Sequence, residues 1–257
     1  MSNVIVLNLF QFAAVYLLLL VVLAIMKKCK INQSKLLIIG SIRMTVQLVL
    51  AGFILTYIFK NPHPLFVILY LLAMIGMSIH TVLSRNKGIN TRFALIVAIS
   101  LAGTGLLVIT FFILGVVGVS FFNPQYTIPI SGMIIGNAMT GVSLGLKTFN
   151  DSIITQKLKI STLINIGATP KSILIPFVNK ALETALLPTL NSMVGMGIIS
   201  LPGMMTGQIL SGTLPTTAIL YQIAIMIAIT VVTCLSVFCS LFFGYRTLYN
   251  SQNQMLI

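Results

Sequence analysis

The chain has 257 residues, of which 58% are hydrophobic and only 7% charged, with a mean hydropathy of +1.09. Soluble domains carry roughly a quarter charged residues, so this composition belongs to a polytopic membrane protein in a lipid bilayer. The net charge of +13 does not indicate nucleic-acid binding, because the basic residues fall in short clusters between apolar runs.

Taking about 20 residues as one crossing, the chain predicts an all-α fold with about seven transmembrane helices, at 4–26, 36–59, 65–83, 93–119, 128–146, 185–211 and 215–243. The first run lacks a basic leading segment and a small-residue cleavage site, so it reads as a span and not a signal peptide. The fourth and seventh runs are long enough to tilt. Lys27, Lys28, Lys30 and Lys35 follow the first span, and Arg85, Lys87 and Arg92 follow the third. Lys147, Lys157, Lys159, Lys171 and Lys180 follow the fifth, and Arg246 follows the last. Thirteen of the fifteen lysines and arginines thus share one side. The positive-inside rule then predicts a multi-pass protein of the plasma membrane, amino terminus outside and carboxyl terminus in the cytoplasm. The chain reads as one permease-like domain over 1–257.

Span two carries Arg43 and Gln47, four residues apart and so on one helix face. Asn137 lies in span five, Asn191 and Gln208 in span six, Gln222 in span seven. A buried arginine costs several kcal/mol unless paired, hydrated or able to snorkel, and Arg43 is close enough to the cytoplasmic end to snorkel. These six residues are the candidates for a transport pathway or for inter-helix bonds, the latter being the default for Asn137 and Gln222. Small residues four apart (Gly132/Gly136, Gly141/Gly145, Gly203/Gly207) predict close helix packing. The stretch around Gly141–Lys147 has the wrong spacing for a phosphate-binding loop and closes a span.

The one long polar interruption is a cytoplasmic connector at 150–188, which holds both acidic residues, Asp151 and Glu183. Asn150 or Asp151 can cap a helix there, and Ser152, Gln156, Lys159 and Thr162 form one polar stripe. Gly167 can take the positive φ that closes a helix, and Thr169-Pro170 is an N-cap followed by a first-turn proline. The pattern predicts an amphipathic elbow of helix, glycine break and helix, centred on Ile166, Gly167, Ala168, Thr169 and Pro170. An interfacial helix in a solvated loop is the alternative. Beyond it, Gly195, Gly197, Pro202 and Gly203 predict a break or kink in span six, because proline beside glycine frees backbone carbonyls.

Two acids and two histidines cannot assemble a catalytic triad, paired carboxylates or a conventional metal cluster, so no catalytic residues are assigned and the chain is not read as an enzyme. Cys29, Cys234 and Cys239 read as small apolar filler. Met133, Met139, Met193, Met196, Met204 and Met205 lie in or beside the glycine-rich spans. A thioether path for a soft cation is conceivable, but flexible packing is the preferred reading. Metal ligands stay unassigned.

Four ordered segments carry a resemblance. They are Gly40-Ser41-Ile42-Arg43-Met44-Thr45-Val46-Gln47, Ile128 through Met139, Gly167-Ala168-Thr169-Pro170, and Ser200-Leu201-Pro202-Gly203-Met204-Met205. Together they resemble the FetB family of ABC-transporter permeases, which includes an iron-export permease and plant aluminium-tolerance permeases. The resemblance implies a permease subunit exporting metal ions, iron foremost, as a homodimer beside a separate cytoplasmic ABC ATPase. ATP and Mg would sit on that ATPase, with no cofactor on this chain. Residues 166–170 would engage the ATPase, and 195–203 would be a hinge. An ATPase-independent secondary transporter or channel, or a non-transporting scaffold, are the alternatives. The first of these predicts repeated halves or buried titratable groups, neither of which is evident.

Overall fold

The computed structural model describes residues 8–249 apart from Lys87. The opening residues of the first predicted span and the basic residue Lys87 lie outside the described part. Nine α-helices are described: α1 (Leu9–Lys28), α2 (Ser34–Lys60), α3 (Pro64–Arg85), α4 (Thr91–Phe111), α5 (Pro124–Thr155), α6 (Lys157–Asn165), α7 (Pro170–Gly195), α8 (Gly203–Leu210) and α9 (Pro215–Gly244). Among the described residues seven helices are long and apolar enough to cross a membrane. Apolar helices suit this solvent because each satisfies its own backbone hydrogen bonds.

The described residues form two compact units. In the first, comprising 8–62 with 210–212, α1 and α2 pair and Tyr16 hydrogen-bonds Thr45. Their most apolar stretches contain no buried residue, so they expose Leu, Ile, Val and Phe nearly all round. Hydrophobicity around the whole circumference fits a helix solvated by lipid.

The second unit comprises 63–209 and 213–249. Its helices start at readable caps. Leu65 N donates to His63 Nδ1 at 3.2 Å ahead of α3, Phe93 N to Asn90 Oδ1 at 2.7 Å ahead of α4, and Gln125 N to Asn123 Oδ1 at 3.2 Å ahead of α5. The end of α4 widens into a π-helical segment, Phe112–Val117, closed by Gly118 at φ +72°. The core is built on α5 and α9, with α3, α4 and α7 packed around them. Two of the predicted glycines explain the contact. A Cβ on Gly141 would overlap Thr233 Cγ2, and one on Gly145 would lie 2.9 Å from Val237 Cγ1, so α5 and α9 meet with almost no side chain between them. The other predicted pairs do not pack this way. Gly132 meets only Met74 Cε, while Gly136, Gly203 and Gly207 face open space.

Polar ties are few. Thr104 and Ser236 share a 2.6 Å hydrogen bond between α4 and α9, both flanked by apolar residues. Interhelical bonds of this kind contribute about 0.6 kcal/mol on average in membrane proteins. A double-mutant cycle of Thr104→Val and Ser236→Ala, read by unfolding in detergent, is expected to return a coupling of that size. Near-zero coupling would mean that the bond adds nothing.

Two boundaries differ from the sequence reading. Asn150 and Asp151 do not cap a new helix, because α5 runs through them to Thr155 before the chain turns at Gln156. The sixth crossing is Pro170–Gly195 and not 185–211. In α7 the buried residues Ile173, Leu174, Phe177, Val178, Ala181 and Ala185 recur at helical spacing. The polar residues Lys171, Ser172, Asn179, Lys180 and Glu183 fall on its exposed face. Pro176 and Pro188 are both accommodated within the helix.

Candidate functional site

The elbow forms as its residue types dictate. At the end of α6, Ala168 N donates to Leu163 O and Gly167 N to Ile164 O, both at 2.9 Å, with Gly167 at φ +87°. This paired arrangement is the Schellman closure, which requires a residue in the left-handed region after the cap. Leu163, Ile164 and Ala168 pack on the core, which fixes the angle at which the chain leaves. Thr169 then caps α7 through Ser172 N, and Pro170 occupies the first turn. Outward the elbow presents Leu158 (85% exposed) and Ile166 (74% exposed) beside Lys157 and Lys159. Two large apolar side chains among exposed lysines make a compact surface with apolar knobs and a basic rim.

The second feature is a cavity of about 360 Å³ among α5, α7, α8 and α9, wholly inside the second unit. Asn137 and Thr140 face it from α5, Thr189 and Ser192 from α7, and Gln222 from α9. It lies about 14–30 Å along α5 from Pro124, well within the length of the helix. The segment between α7 and α8 closes one wall. Gly197, at φ +86°, donates to Ser200 O at 2.9 Å, and Ser200 N returns to Gly195 O at 3.2 Å. Of the break or kink that the sequence predicts here, the structure shows the break: α7 ends, and α8 is a separate short helix. Pro202 and Gly203 line the cavity, while Gly195 and Gly197 shape the turn beside it.

Two of the six polar candidates therefore meet in one place. Asn137 is exposed and donates to its own helix at Met133 O, 2.8 Å away. Gln222 is 6% exposed, and its Nε2 reaches Met196 Sδ at 3.8 Å while its Oε1 has no partner. Asn191 lies exposed on α7 and Gln208 half-buried on α8, both outside the cavity lining. Arg43 and Gln47 are exposed on α2, in the first unit, and make no hydrogen bond or ion pair among the described residues. Among the methionines, Met133, Met196 and Met204 line the cavity. The sequence reading passed over Met226, which also lines it and stands one helical turn beyond Gln222. Met139 packs on the core, Met205 is buried, and Met193 is exposed on α7, where its sulfur accepts from Thr230 Oγ1 at 3.2 Å. Among the described residues no group of three or more His, Cys, Asp and Glu could hold a metal ion.

With this geometry in place, the chain can be set beside known proteins. Residues 9–249 match the model of the family described as "Uncharacterised protein family (UPF0014)". The chain is 35% identical over 208 residues to the UPF0014 membrane protein YjkA of Bacillus subtilis, covering 80% of this chain and 82% of that one. It is 32% identical over 244 residues to the probable iron export permease protein FetB of Escherichia coli, covering 93% and 92%. It is 38% identical over 185 residues to the protein ALUMINUM SENSITIVE 3 of Arabidopsis thaliana, covering 72% and 66%. No solved structure matches. Coverage of every described helix by one family model makes the chain a member of the UPF0014 family of membrane proteins.

Proposed function

We propose that this chain is the membrane subunit of an ATP-driven exporter of metal ions, with iron as the favoured cargo. The observation that carries the reading is the end-to-end similarity to a probable iron export permease, 32% identity over 93% of the chain. The elbow supports it. A short helix closed by a glycine, capped into a long spanning helix and showing Leu158 and Ile166 outward, suits insertion into a cleft of a cytoplasmic ATPase. ATP and Mg belong to that ATPase. Motion of residues 166–170 would pass into α7, since Thr169 and Pro170 are its first residues, and on to the turn at 195–203 where α7 ends.

Two copies of the chain with two ATPases is the assembly this mechanism calls for. The amino terminus is assigned outside and the carboxyl terminus in the cytoplasm. Arg85, Arg92, Lys147, Lys157, Lys159, Lys171 and Arg246 then sit toward the ATPase side. Asn90 Nδ2 donates to Thr247 O at 3.0 Å, joining the α3–α4 turn to the 3-10 turn that follows α9 and holding two of these basic ends together.

The test is cargo movement in inside-out vesicles carrying this chain with its candidate ATPase. ATP-dependent accumulation of iron is the expected result. An ATPase that binds the elbow while no metal moves would overturn the transporter reading in favour of a scaffold. Iron movement without any ATPase would overturn the coupling.

A further inference from the structure

The cavity presents a chemical combination that close packing does not account for. Four elements each supply one methionine to it: Met133 from α5, Met196 from the turn, Met204 from α8 and Met226 from α9. Gln222, more than nine-tenths buried, donates to one of these sulfurs and leaves its carbonyl oxygen without a partner. An unsatisfied buried carbonyl costs about 1–3 kcal/mol, so a native site normally supplies it with a partner. The lining contains no acidic, basic, histidine or cysteine side chain. Its donors are thioethers, amide oxygens and hydroxyls.

We propose that this cavity is the cargo-binding site and that it selects soft or borderline cations of low charge: silver(I), copper(I) and iron(II). Trivalent ions such as iron(III) and aluminium(III) are excluded. The proposal rests on the reading of the chain as a metal permease and adds a donor set and an oxidation state to it. Thioethers favour soft cations, while hard cations of high charge demand carboxylates or other anionic oxygens that this lining lacks. A trivalent ion would surrender its hydration to neutral donors in a low-dielectric site, at a cost that rises steeply with charge. A monovalent or divalent ion surrenders far less. The volume of about 360 Å³ lies at the small end of ligand pockets and exceeds what a bare ion needs. The ion therefore enters with part of its water. Gln222 Oε1 from α9 and Asn137 Oδ1 from α5 complete the coordination.

The experiment is calorimetric titration of the purified full-length chain in lipid nanodiscs. Cys29, Cys234 and Cys239 are replaced by serine so that free thiols take no silver. The probes are silver nitrate, iron(II) under dithionite, and the citrate complexes of iron(III) and aluminium(III). In separate anaerobic titrations silver and iron(II) are each expected to bind, silver the more tightly, and the trivalent ions not to bind. Met133→Leu and Met204→Leu keep the size and apolar character of the side chain and remove the sulfur. Each is expected to weaken silver at least tenfold. Gln222→Glu, adding a charge at the orphan oxygen, is expected to admit iron(III). Silver affinity indifferent to both leucine variants would overturn the proposal, as would iron(III) binding to the unaltered cavity. Vesicles that move no iron while silver binding still depends on Met133 and Met204 would remove iron as cargo and leave the site standing. Vesicles that move iron while the leucine variants bind silver normally would remove the site and leave the exporter.

Discussion

Alanine at Gly244 is expected to destabilise the second unit more than any other single methyl addition in the chain. The new Cβ would overlap one edge of the Phe93 ring, with Cζ at 2.6 Å and two further ring atoms closer still. Phe93 cannot step aside, since it is 1% exposed and packs edge-on against Phe149 with ring centroids 6.2 Å apart. Overpacking a core that can relax costs about 1–3 kcal/mol, so a clash against a locked ring should cost at least ~3 kcal/mol. Gly141→Ala, pressing on Thr233, should follow. Gly145→Ala, 2.9 Å from one Val237 methyl, should be milder.

The control is built into the same chain. A methyl added at Gly136 would have nothing within 4 Å of it. Alanine there gains helix propensity of about 1 kcal/mol and loses no packing. Thermal unfolding of the four variants in one detergent should therefore split by sign, with Gly136→Ala at or above the parent. A Gly244→Ala protein as stable as the parent would show that the α4–α9 contact is looser than described. The sequence motif cannot make this distinction, because Gly132/Gly136, Gly141/Gly145 and Gly203/Gly207 are the same pattern.

That limit recurs through the chain. Crossings one to five and seven were legible because long apolar runs bounded by Lys, Arg, Asn and Pro leave little choice of element. The elbow was legible because Gly167 and Thr169-Pro170 each admit few conformations. The sixth crossing was misplaced because Lys180 and Glu183, joined by a 3.0 Å ion pair, make residues 170–184 look like loop when counted by polarity. Counted by period, Ile173, Leu174, Phe177, Val178 and Ala181 announce the buried face of a helix that continues to Gly195. Asn150 and Asp151 misled for a related reason. A good capping residue is only an opportunity, and α5 passed it by because Phe149 and Ile153 keep their buried face in register. As for the cavity, single methionines on α5, α8, α9 and a turn lie far apart along the chain. No local pattern says that they converge, and only Asn137 and Gln222, polar residues in apolar spans, offered a signal.

On the proposed coupling of this chain to an ATPase, valine at Gly167 should leave the protein inserted and folded yet reduce ATP-driven transport at least tenfold. Space is not the issue, since nothing lies within 4 Å of a Cβ at this position. The backbone is: φ is +87°, and a non-glycine residue held in the left-handed region costs about 1–3 kcal/mol, most for a β-branched one. The chain can escape that cost by opening the closure at Leu163 and Ile164, which swings α6 and releases Ala168 from the core. Little stability is lost, because α6 contributes only Ile160 to the fully buried set. What is lost is the fixed geometry between the outward Leu158 and Ile166 and the first turn of α7. Gly167→Asn provides the discriminating comparison, because asparagine tolerates the left-handed region and should retain most transport. The readouts are transport in inside-out vesicles, ATPase binding and thermal unfolding. Full transport by a folded Gly167→Val protein would separate the elbow from coupling. Equal loss in the valine and asparagine variants would mean that the side chain obstructs the partner's cleft and that backbone conformation is not what couples the two subunits.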